Sequence, residues 1–135
     1  MKYICLGYIE DKYFREMNEN ERHDFMDACF TYDEELQKNG HMVGGEALQP
    51  VNTATTVRQR NGKLQITDGP FAETKEFLGG IMILEARDLN EAIQLMSRHP
   101  SIKMGGTFEI RPSADLSAMV DESKQRRAAL AAESR

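Results

Sequence analysis

From Tyr3 to Ile9 nearly every position is apolar, with Ile4, Leu6 and Tyr8 alternating against Tyr3, Cys5 and Gly7, and this predicts a first strand covered on both sides. A polar stretch follows, then helical spacing from about Glu19 to Asn39. Phe25, Cys29, Tyr32 and Leu36 form its apolar stripe, and Asn18 caps it with Glu21 as reciprocal partner. Gly40 stops the helix in the left-handed conformation that side chains resist. A second strand is expected from His41 to Leu48, ended by Pro50. Thr53 to Arg60 and Lys63 to Thr67 read as a hairpin across Asn61-Gly62. Gly80 to Ala86 carries almost no polar residue and reads as a central strand buried on both faces. Asp88 and Glu91 open a helix that runs to about Arg98 and buries Leu89, Ala92, Ile93 and Met96. Pro100 prevents its continuation. Thr107 to Arg111 supplies the last strand, and Ser113 to Arg135 reads as a partly helical tail, frayed at its end.

This order, β-α-β-(hairpin)-β-α-β, predicts an α+β fold of ferredoxin-like plan, with two helices on one face of a mainly antiparallel sheet. The body would be residues 1–112 and the tail 113–135. The other face of the sheet keeps apolar residues from the first and central strands. Left open it would be a large exposed patch, so a homodimer with sheets stacked face to face is expected.

A chain of 135 residues is one domain's worth, and 40% hydrophobic with 29% charged residues is a globular composition. The net charge of −5 argues against nucleic-acid binding. No apolar run approaches the ~20 residues of a membrane span, and the N-terminal run lacks a signal-peptide core. Cys5 and Cys29 have no cysteine or histidine at metal spacing, so buried reduced thiols are expected, with no metal or cofactor and a cytoplasmic location.

The unusual chemistry is concentrated in Thr67-Asp68-Gly69-Pro70-Phe71-Ala72-Glu73-Thr74-Lys75-Glu76, which carries more acid and base than a connection requires. Asp68 ends a strand beside a flexible glycine. It can serve as a general base or as a turn aspartate bonding the amides that follow. Phe71 is either a core anchor for the loop or a stacking surface for a ligand. Glu73, Lys75 and Glu76 form an acid–base cluster or a solvated loop face. Glu46 follows two glycines in an apolar neighbourhood, which suits an acid–base role or an ion pair with Arg58. His99 sits at the end of the second helix, where a cation suits the macrodipole, and His23 and His41 read as surface residues. No nucleophile–base–orienter triad and no phosphate loop is visible.

Gly44-Gly45-Glu46-Ala47-Leu48-Gln49-Pro50, Thr55-Thr56-Val57-Arg58, the run from Thr67 to Glu76 and Leu78-Gly79-Gly80 resemble the DGPF-domain branch of the YCII-related proteins, over Tyr3 to about Pro112. The resemblance implies a dimeric α+β barrel. Asp68 matches the family's motif aspartate. Shorter YCII proteins have a proposed His–Asp pair in a pocket, but their helix histidine does not fall on His23. Members often occur beside extracytoplasmic-function sigma factors.

The expected function is therefore binding of a small organic molecule. An enzymatic version would be cofactor-free acid–base chemistry with Asp68, Glu46 and Lys75 as catalytic groups and Glu73, Arg58 and Phe71 contacting the ligand. The alternative is a non-catalytic ligand sensor or regulatory partner of a sigma factor.

Overall fold

The computed structural model describes residues 1–134. Strands β1 (Lys2–Glu10), β2 (Met42–Ala47), β5 (Glu76–Glu85) and β6 (Thr107–Pro112) form one sheet in the order β2-β5-β1-β6, with every neighbouring pair antiparallel. Strands β3 (Thr55–Arg60) and β4 (Lys63–Asp68) form a separate two-stranded hairpin. Its turn is Asn61-Gly62, with φ of +53° and +76°, the paired left-handed conformations of the tight turn that Asn-Gly favours. Helix α2 (Glu19–Lys38) and helix α3 (Leu89–Ser97) cover one sheet face, and the whole is the α+β, ferredoxin-like arrangement read from the pattern.

The core explains both where the helices sit and where space is left. Its residues are Tyr3 and Cys5 of β1, Met82 and Leu84 of β5, Leu36 of α2, and Ala92, Leu95 and Met96 of α3, with Ala86 behind them. Strand alternation makes the helix-facing surface readable as rows across the sheet. The first row carries Met42, Leu84 and Tyr3; the next carries Gly45, Met82, Cys5 and Ile110; the third carries Ala47, Gly80, Gly7 and Phe108. Side-chain volume falls from row to row until two adjacent strands present bare backbone. A bulge at the third row leaves Gly79 unpaired beside Gly80. The opposite face carries Ile4, Leu6, Ile81 and Ile83; Ile81 is 37% exposed and the other three are half-buried.

Several elements depart from expectation. A short helix α1 (Asp11–Glu16) follows β1 directly, where the sequence offers only a polar stretch. β5 starts at Glu76, so the central loop is shorter than expected, and its outer face is not buried. α3 turns Ala92, Leu95 and Met96 inward, leaving Leu89 47% and Ile93 45% exposed; the assignment of those two to the core is corrected. Pro100 ends that helix as expected, but it also opens a further turn of helix, α4 (Pro100–Lys103), because its ring presets the first helical position. The tail contains helix α5 (Ser117–Glu133), none of whose residues is buried.

Candidate functional site

Where the rows of side chains run out, α1 and α2 continue overhead, and a cleft of about 860 Å³ opens between them and the sheet. Gly7, Gly79 and Gly80 line its floor, and Phe14, Phe25, Met26 and Phe108 line its walls. Phe14 and Phe25 hold each other edge to face at 5.8 Å between ring centroids, which fixes α1 against α2. Such an apolar, concave volume with a few polar groups converging on it is the usual form of a small-molecule site.

The polar end of the cleft is built from Asp33, His99 and Ser101, all of which line it. His99 is 7% exposed and caps α4, its Nδ1 accepting from the Ser101 backbone N–H at 3.2 Å. A backbone amide can only donate, so Nδ1 accepts and the ring proton of neutral His99 sits on Nε2. Nε2 lies 3.1 Å from Asp33 Oδ1 and donates to it. Ser101 Oγ stands 2.8 Å from Nδ1 on the other side of the ring. Tyr32 and Phe108 pack edge-on against the imidazole, at 5.6 and 5.1 Å between centroids. The ring is thus held in plane, tautomer and position. His99 was expected at a helix end as a macrodipole cation, and that expectation is corrected: tertiary packing brings it against Asp33 in the interior. His41, expected at the surface, is half-buried, with Nδ1 2.9 Å from the Glu85 carbonyl oxygen.

Cys5 and Cys29 also line the cleft as free, buried thiols. Burial pushes both up to about 11, and for Cys29 the nearby Asp33 carboxylate adds to it. They are therefore poor nucleophiles. Among the described residues no three His, Cys, Asp or Glu side chains are grouped to hold a metal ion.

Of the six residues given catalytic or ligand-binding roles in the sequence analysis, Glu46 alone borders the cleft. Asp68 closes β4 opposite Thr55, with its side chain exposed. Its neighbour Gly69, at φ +105°, is latched in place: its N–H donates to the Ala54 carbonyl at 2.7 Å, and its own carbonyl accepts from Thr56 Oγ1 at 2.7 Å. Arg58 donates to the Phe71 carbonyl at 3.2 Å, so it braces the loop and makes no ion pair with Glu46. Phe71 is 79% exposed, which rules out the core-anchor role within the protomer. It borders a smaller cavity of about 440 Å³ under the loop, which shares Leu48, Pro50 and Leu78 with the main cleft. Glu73 and Lys75 are exposed.

The pair that the sequence reading missed comes from positions 66 residues apart, so only the fold joins them. One signal was present. Asp33 lies four residues after Cys29 and three before Leu36, an acid set into the apolar stripe of α2.

Sheet, helix layer and a polar-ended apolar cleft define a small α+β protein of ferredoxin-like plan. The family model for the YCII-related domain matches residues 1–117, and the chain belongs to that family. It is 30% identical over 118 residues to an uncharacterized protein of Rhizobium meliloti (strain 1021), covering 84% of this chain and 93% of that one. Among solved structures it resembles the 5-chloro-2-hydroxyhydroquinone dehydrochlorinase TftG of Burkholderia phenoliruptrix AC1100, in complex with 2,5-dihydroxybenzoquinone. That likeness has a TM-score of 0.51 at 16% identity and covers 84% of this chain and 94% of the other; it is a likeness of fold.

Proposed function

We propose that this protein binds a small organic molecule in the cleft between α2 and the sheet and performs cofactor-free acid–base chemistry on it, with His99 and Asp33 as the working pair. The observation that carries the reading is the His99–Asp33 contact at 3.1 Å on the wall of an apolar cleft. A ligand hydroxyl that takes the Nδ1 lone pair from Ser101, displacing both its Oγ and its backbone N–H, gives its proton to that nitrogen. The resulting imidazolium then carries N–H groups on both sides, one of them already directed at the Asp33 carboxylate, which stabilises the charge. The low polarity of the walls strengthens that attraction relative to water. Glu46, bordering the same cleft, is the second carboxylate available to a ligand, while Asp68, Lys75, Glu73, Arg58 and Phe71 belong to the hairpin and loop beside it. The fold neighbour's complex with a hydroxylated quinone, in a protein of the same architecture, supports a ligand of this size. Two protomers pair through the open sheet face, and the reduced thiols suit a cytoplasmic setting.

The test is thermal unfolding against a panel of hydroxylated and acidic metabolites, repeated with His99→Gln, Asp33→Asn and Asp68→Asn. A ligand at ~100 times its Kd adds ~2.7 kcal/mol and raises the midpoint by several degrees. The expected result is a shift in the parent protein and in Asp68→Asn that is lost in the other two, each of which still unfolds cooperatively. A shift that survives His99→Gln and Asp33→Asn but vanishes in Asp68→Asn moves the site to the loop and overturns this assignment.

A further inference from the structure

The hydroxyl of Ser101 is surplus to the cap it belongs to. His99 caps α4 through the Ser101 backbone N–H, which any residue but proline would supply at that position. The side chain adds a second and shorter bond, 2.8 Å from Oγ to Nδ1 against 3.2 Å from the amide. Nδ1 is the accepting nitrogen, so the Ser101 O–H donates to it and the oxygen keeps its lone pairs. The opposite nitrogen holds Asp33 at 3.1 Å. Hydroxyl, imidazole and carboxylate therefore stand in series, the nucleophile–base–orienter constellation that the sequence pattern does not reveal. The main chain of Ser101 is fixed as firmly. Its carbonyl accepts from the Gly106 N–H at 2.8 Å, and a methyl at Gly106 would stand 2.8 Å from that same oxygen, so the clamp requires glycine. Thr107, the other aliphatic hydroxyl lining the cleft, donates instead to the exposed Glu76 carboxylate at 3.3 Å.

We infer that Ser101 is a nucleophile of this cleft and that the protein cleaves an ester of a small apolar acid by way of an acyl-serine. This rests on the cleft being the ligand site with His99 as its base, as proposed above. Where a bound molecule brings no hydroxyl to displace it, Ser101 is itself the alcohol that His99 deprotonates. Oγ forms a bond to the ester carbonyl carbon while its proton passes to Nδ1, and the carbonyl π pair becomes an oxyanion. Protonated Nδ1 no longer accepts from the Ser101 N–H, so that amide is released beside the attacked carbon as a donor to the oxyanion. Collapse breaks the bond to the leaving oxygen, which departs as an alcohol with the proton from Nδ1. Water, giving a proton to Nδ1, then attacks the acyl carbon; the acid leaves and Oγ recovers its hydrogen. The sum is ester plus water to acid plus alcohol, with no further co-reactant. The acyl class follows from the walls, where Phe14, Phe25, Met26 and Phe108 offer apolar surface. Cys5 and Cys29 do not compete for it, because burial keeps both thiols protonated.

The experiment incubates the full chain with nitrophenyl butyrate near neutral pH, follows nitrophenolate release and weighs the quenched protein and its peptides by mass spectrometry. The parent is expected to release nitrophenolate in a burst of about one equivalent and to gain one butyryl group on the peptide that contains Ser101. Ser101→Ala, which keeps the capping amide and should unfold as cooperatively as the parent, is expected to carry no such adduct. His99→Gln and Asp33→Asn should form it about a hundredfold more slowly, the scale of a lost general base. Release that falls in His99→Gln but is untouched in Ser101→Ala overturns the nucleophile and leaves His99 as the base of the cleft. An adduct that forms equally fast without His99, or release no faster than in buffer, overturns it as well; the ligand panel then decides the cleft by itself. Should Ser101→Ala fail to fold, the position of the adduct in the parent decides: butyryl on any other residue overturns the assignment.

Discussion

At the scale of single residues, the interior of the cleft is defined as much by what is kept neutral as by what is charged. Cys5 is fully buried and Cys29 nearly so, at 8% exposure, and burial pushes both thiols from the ordinary 9.0 up to about 11. The unfolded chain releases these protons first, so between those two values the native state holds protons that the unfolded state has lost. Stability from this source is therefore complete below pH ~9 and declines as pH rises toward ~11. Urea midpoints measured through that window should fall more steeply for the parent than for the Cys5→Ala, Cys29→Ala double variant; parallel slopes would mean the thiols ionise freely in the native state. Iodoacetamide at pH ~8 should modify neither thiol until the protein unfolds. The same scale shows why the site was only partly legible. Asp68 and Gly69 announced themselves through local turn chemistry, and the structure gives Gly69 a clear local role in the latched turn. His99 and Asp33 have no local signature as a pair: one is a cap two residues from its own hydrogen-bond partner Ser101, the other an acid in an apolar stripe.

Among the elements, the ones with strong local signals came through and the ones built by context did not. The Asn18 cap and its Glu21 partner make both reciprocal bonds, at 2.8 and 3.2 Å, and Asp88 accepts from the Glu91 N–H at 2.9 Å. Asn61-Gly62 sets the hairpin register with Val57 opposite Ile66. α1, by contrast, is six residues long with no side-chain cap, and it is helical because Phe14 finds Phe25 and Tyr13 lies over Gly105. Any side chain at Gly105 would meet the Tyr13 ring at 2.7 Å, so that contact is exclusive to glycine. α3 illustrates a different limit: its spacing permits two adjacent apolar faces, and only the position of the sheet chooses Leu95 over Ile93. Because the α2 cap satisfies an otherwise orphaned amide, Asn18→Ala should cost about 1 kcal/mol, roughly 3–6 °C in melting midpoint. The cleft lies beyond the first turns of α2, so ligand binding by the variant at temperatures well below its midpoint should match the parent. A midpoint unchanged within error would show that α2 is held by packing alone.

Among the described residues, apolar side chains remain uncovered at several places on the protomer. The outer sheet face carries Ile4, Leu6, Ile81 and Ile83; the hairpin exposes Val57, Leu64 and Ile66 at 63–67%; and the first turn of α5 exposes Met119 at 65%. A two-stranded hairpin is marginal in water by itself, and a four-stranded sheet with helices on one side only leaves β-branched residues in solvent. A two-fold arrangement that stacked one sheet on its own copy, as proposed above, would cover the outer sheet face and use the same residues on both sides. Ile81 sits opposite Leu6 near the middle of that face and is 37% exposed, so Ile81→Lys leaves the protomer core untouched while placing a charge where two copies would meet. Sedimentation velocity over a concentration series should show a dimer for the parent and a monomer for the variant, with at least a hundredfold rise in the dissociation constant. A chain ending after Pro112 is expected to remain dimeric and to unfold cooperatively, because α5 buries none of its residues. If shortening the chain dissociates the dimer and Ile81→Lys does not, the helix is what joins the copies. The outer face of the sheet would then need another partner.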